Sequence, residues 1–138
     1  MNRAPELLTA AAITFLLAVT GQAATPEIRE VPVHFQKGES GATLRGKLKG
    51  DETVDYTLGA KAGQSIVVAM KASSTSAYFN VLPPGSETAL FVGSTSGERF
   101  EGTLPADGVY RIRVYLMRSA ARRNESTSYA LDVGLLSP

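Results

Sequence analysis

The sequence predicts an all-β fold, a small antiparallel β-sandwich of about eight strands in a single domain, and three observations carry that reading. Apolar residues alternate at period two over most of the chain: Val31, Val33 and Phe35; Val54, Tyr56, Leu58 and Ala60; Ile66, Val68 and Met70; Tyr110, Ile112, Val114 and Leu116; Tyr129, Leu131 and Val133. Groups that favour turns separate these runs, among them Lys37-Gly38, Lys49-Gly50, Lys61-Ala62-Gly63, Pro83-Pro84-Gly85 and Pro105-Ala106-Asp107-Gly108. Each run is apolar on one side only, as two sheets packed face to face require.

Individual elements follow from the same chemistry. Pro32 cannot donate to a ladder, which sets the first strand at an edge. Pro105 presets a turn and Gly108 can take the positive φ that closes it before Tyr110 starts a strand. The run Gly93-Ser94-Thr95-Ser96-Gly97 lacks bulk and reads as a mobile loop without internal structure.

Composition narrows the function. The chain has 138 residues, with 14 Lys and Arg against 13 Asp and Glu, so its net charge of +1 supplies no field to recruit nucleic acid. Without cysteine there is no disulfide, thiolate cluster or cysteine nucleophile, and a single histidine, His34, leaves no second imidazole for a His-based metal site. No cofactor is expected.

Residues 1–24 read as a secretory signal peptide: Arg3, an apolar run from Leu7 to Val19, then Gly21, Gln22, Ala23 and Ala24. That run is 13 residues, short of the ~20 a membrane-spanning helix needs. Cleavage after Ala23 or Ala24 would leave a mature domain over residues 25–138, exported to the periplasm and not held in a membrane.

Patterns for catalysis are weak. His34 lies on the polar side of a predicted edge strand, and no nucleophile elbow accompanies it. Asp51, Glu52 and Asp55 lack the spacing of a calcium loop and read as a solvated turn. Asn124-Glu125-Ser126 has the form of a glycosylation acceptor and suits an exposed loop. An enzyme is not expected.

Arg111 to Asn124 is the informative stretch, because five of the nine arginines fall within its first thirteen positions. Arg111 and Arg113 alternate with inward residues and should point to solvent, keeping a sheet face soluble. Arg118 and Arg122 fall beyond that strand in an Ala-rich connection able to form one helical turn, which would set both guanidinium groups on one side. Such a pair can grip carboxylates, with Arg123 and Asn124 as supporting contacts; an exposed basic loop with no partner has the same composition.

The order Val33-His34-Phe35-Gln36-Lys37-Gly38, Lys49-Gly50, Ala60-Lys61-Ala62-Gly63-Gln64, Leu104 to Tyr110, Arg113-Val114, Arg118 to Arg122, Asn124 and Tyr129 resembles the bacterial periplasmic inhibitors of goose-type lysozyme. The resemblance implies a β-sandwich that pushes a loop into the lysozyme cleft, with Arg118 and Arg122 where the family has contacting arginines four apart. Where the family carries a tyrosine after the Lys-Gly pair, this chain has Asp51 and Thr53. Leu104 to Tyr110 is also similar to pre-peptidase C-terminal sandwich domains, which would imply a non-catalytic envelope module binding glycan or a partner protein.

Overall fold

The computed structural model describes residues 28–138, so the signal peptide read at residues 1–24 lies outside the described residues. The elements are β1 (Ile28–Pro32), β2 (Gly41–Lys49), β3 (Thr53–Ala60), β4 (Ser65–Ala72), β5 (Ala77–Leu82), β6 (Phe91–Val92), α1 (Gly93–Ser96), β7 (Arg99–Thr103), β8 (Gly108–Leu116), α2 (Arg118–Arg122) and β9 (Ser126–Leu136). One sheet has the order β1-β3-β8-β5-β6 and the other β2-β9-β4-β7. Their inner faces carry the predicted alternation: Val54, Tyr56 and Leu58 of β3, Tyr110, Ile112, Val114 and Leu116 of β8, and Phe79 and Val81 of β5 face Ile66, Val68 and Met70 of β4 and Tyr129, Leu131 and Val133 of β9. The sandwich predicted from period-two patterning is the fold observed.

Two details of the strands differ from the expectation. The first strand ends at Pro32 rather than running on to Phe35, because the chain leaves that sheet after Val33, whose N–H still reaches the Thr57 carbonyl at 2.9 Å. Crossing to the other sheet for β2 before returning for β3 also makes β1 parallel to β3, the exception among the antiparallel pairings of the described residues. β1 is an edge strand, as Pro32 requires.

A hydroxyl pair bolts the sheets together. Tyr56 of β3 and Tyr129 of β9 share a buried 2.7 Å hydrogen bond, their rings edge to face at 6.4 Å. Tyr129 is the register partner of Gly46, and a side chain there would collide with its hydroxyl; the glycine makes the room that the ring uses.

At the far end of β3 two turns interlock. Asp107 Oδ1 accepts the Ala62 N–H at 2.8 Å, Gly63 N–H reaches the Leu104 carbonyl at 2.9 Å, and Leu104 N–H reaches the Gln64 carbonyl at 2.8 Å. The Tyr110 hydroxyl donates to the Ala106 carbonyl at 2.7 Å, a tyrosine corner that fixes the start of β8, with Gly108 at φ 139°. The Ala60–Gln64 and Leu104–Tyr110 sequences are thus one structural latch.

The Gly93 run is not the structureless loop its composition predicts. It closes one helical turn, α1, because Gly93 packs against the backbone of Phe79, donates to Asn80 Oδ1 at 3.2 Å and accepts from the Gly97 N–H at 3.0 Å.

Candidate functional site

β8 and β9 lie in different sheets, and α2 is the corner between them. Five residues suffice for one turn: Ala121 N–H bonds the Met117 carbonyl at 2.9 Å, and Met117 N–H is tied to Ser76 at 2.8 Å. Ala120 is fully buried and plugs the turn into the core. At 100° per residue, positions two before and two after a buried residue lie on the opposite side of the helix, so burying Ala120 turns Arg118 and Arg122 outward together. Both are exposed, and they line a common shallow depression. The pairing that the four-residue spacing predicts is the one the fold delivers.

The turn ends on a defined cap. Glu125 N–H bonds the Ala120 carbonyl at 3.1 Å and Asn124 N–H the Ala121 carbonyl at 3.0 Å, the hydrogen-bond pair of a Schellman motif. Asn124 occupies the left-handed position with φ 57°, which asparagine tolerates better than most residues. The β2–β3 turn packs beneath, with Gly50 N–H on the Glu125 carbonyl at 2.9 Å. That contact joins the Lys49-Gly50 and arginine segments of the sequence pattern.

Charge distribution separates the arginines. Neither Arg118 nor Arg122 takes part in an ion pair among the described residues. Arg123 does: its Nη2 lies 2.8 Å from Glu125 Oε2. Asn124 lines the same depression as Arg118 and Arg122, and Asp51, an exposed carboxylate from the β2–β3 turn, lies there too. Sequence reasoning missed Ala120, whose position midway between the two arginines was the available signal.

Arg111 and Arg113 are not the solvated residues that alternation implied. Asp55, expected in a solvated acidic turn with Asp51 and Glu52, is 2% exposed on β3, and its register partner Arg113 grips it through Nε at 2.8 Å and Nη2 at 2.9 Å. This bond raises the Arg113 pKa, against the opposing effect of burial. Arg111 donates to the Ser86 carbonyl at 2.9 Å and sits 3.0 Å from Glu87, whose carboxyl it holds below the usual carboxylate range. Both arginines fasten the loop after β5 to the outer sheet face, because a buried carboxylate needs a charged partner. Asp51 and Glu52 do stay exposed.

His34 is exposed just past β1. Among the described residues no three His, Asp or Glu side chains gather where a metal ion could be held.

No family model matches the chain. It is 31% identical over 121 residues, 86% of this chain and 90% of the relative, to the inhibitor of g-type lysozyme from Escherichia coli strain K12. The chain belongs to the family of g-type lysozyme inhibitors. A solved member, the periplasmic inhibitor PliG of Aeromonas hydrophila, is 41% identical, superposes with a TM-score of 0.73, and is matched over 97% of its length and 79% of this chain. The pre-peptidase C-terminal domain of Bacillus anthracis collagenase is 17% identical with a TM-score of 0.56 over 81% of this chain, a likeness of fold alone. Family membership therefore displaces the envelope-module reading, whose basis was the Leu104–Tyr110 lead-in that the two groups share.

Proposed function

We propose that this chain is a periplasmic, non-catalytic inhibitor of g-type lysozyme that seats the α2 turn in the muramidase cleft. The observation that carries the reading is the outward pair Arg118 and Arg122, backed by buried Ala120 and without an acidic partner among the described residues. A muramidase cleft is shaped for an extended glycan and holds a carboxylic acid that must give up its proton. A guanidinium beside that group favours the ionised form and so removes the acid, while the turn fills the space of the sugar. Arg118 and Arg122 are the anchors. Arg123 and Asn124 are supporting contacts on the shoulder of the turn, Arg123 paired with Glu125 and Asn124 in the helix cap. Residues 1–24 act as the export signal.

The test is a lysis assay with the mature chain, residues 25–138, and its Arg118→Ala, Arg122→Ala double variant. Truncating interface arginines typically costs about 2 kcal/mol or more, so inhibition should weaken by well over ~10-fold. The melting temperature should hardly move, since both side chains are exposed. Undiminished inhibition by the double variant would overturn the assignment.

A further inference from the structure

We infer that the lysozyme-binding surface runs past the arginine turn onto the outer face of the β1-β3-β8-β5-β6 sheet, where Tyr115 is an aromatic anchor for the rim of the cleft. The inference rests on the preceding reading that α2 enters that cleft.

Continuity is the first ground. Arg118 lines two adjoining depressions, one with Arg122 and Asn124, the other with Tyr115 and Thr53; Asp51 and Ala121 line both. A body seated on the two arginines meets Tyr115 next.

Preorganisation is the second. The Tyr115 hydroxyl donates to Asn80 Oδ1 at 2.8 Å, and the same oxygen takes the Gly93 N–H at 3.2 Å, so the acceptor is itself fixed. The ring packs against its cross-strand partner Tyr78 with centroids 6.2 Å apart and planes at 41°. Arg113, two residues earlier on the same face, is held by Asp55. A half-buried ring locked at both ends loses little conformational freedom when a partner covers it, and tyrosine and arginine are both among the residues enriched at interface hot spots. The side chain would then complement Arg118: the guanidinium supplies charge, the ring supplies rigid apolar area.

Titration calorimetry of the mature chain with a goose-type lysozyme tests this. Tyr115→Ala should weaken binding by about tenfold or more, whereas Tyr115→Phe, which keeps the ring, should stay within about threefold of wild type. Thr53→Lys fills the second depression without touching the supports of Tyr115 and should weaken binding as well. If Tyr115→Ala lowers the melting temperature sharply, Thr53→Lys decides alone. Wild-type affinity in Thr53→Lys, with weakened affinity in the Arg118→Ala, Arg122→Ala variant, overturns the extension and leaves the function intact. Wild-type affinity in the arginine variant overturns the underlying reading.

Discussion

Gly50 and Asn124 face each other with left-handed backbones, φ 62° and 57°, and a β-carbon on Gly50 would stand 2.7 Å from Asn124 Oδ1. The β2–β3 turn and the cap of α2 therefore share one contact, and the attitude of the arginine turn depends on a residue outside it.

Gly50→Ala should destabilise the fold by about 1–3 kcal/mol, through positive φ and the collision together, and should reduce inhibition although it removes no contacting side chain. Asn124→Gly keeps the left-handed cap and deletes the obstructing carboxamide. Combined with Gly50→Ala, it should restore part of both losses in thermal melts and lysis assays.

Ala120 is fully buried in the core. Ala120→Leu should cost ~1–3 kcal/mol by overpacking and push α2 off the sandwich, so that inhibition falls further than stability alone explains. Ala120→Ser, close in size, should do much less, and comparing inhibition at equal folded fraction separates the two effects.

Asp55→Asn removes the charge that Arg113 grips. Breaking a buried pair costs ~3–5 kcal/mol, and the partial exposure of Arg113 places this one near or below the lower end. Arg111→Ala, which loses the Ser86 hydrogen bond, should cost about 1 kcal/mol. Urea unfolding should show that order, while inhibition by the folded Arg111→Ala protein matches wild type.

Burial, then the hydrogen bond with Tyr56, raises the Tyr129 pKa well above the ordinary tyrosine value of 10.0. In the unfolded chain Tyr129 ionises at its ordinary pKa, so above about pH 10 the unfolded state binds fewer protons than the folded one and stability falls as pH rises. This contribution is fully present below pH ~10. Tyr129→Phe should be less stable near neutrality but should lose stability less steeply between about pH 9 and 12, as alkaline denaturation series would show.

Much of the fold was legible in the chain. Alternation names the inner faces of β3, β4, β8 and β9, and the spacing of Arg118 and Arg122 names one side of a helical turn. Both readings rest on local geometry, which sequence carries directly. The ion pairs of Arg111 and Arg113 are not legible in the chain, because alternation tells which side of a sheet a residue faces, not what another strand sets beside it. Asp55 lies 58 positions from Arg113 in the chain and 2.8 Å away in space. The Gly93 turn was missed for a related reason, since its order comes from Asn80 and the backbone of Phe79 rather than from its own composition.

Sequence by itself determined the two-sheet architecture, the edge position of the strand bearing Pro32 and the pairing of the arginines, because period, proline chemistry and helical spacing act within a few residues. Tertiary structure decided which charges are paired within the protein and which are left to face outward: Arg113 and Arg123 find carboxylates, while Arg118 and Arg122 find none among the described residues. Electrostatic pairing depends on distance in space, and only the folded chain sets that distance.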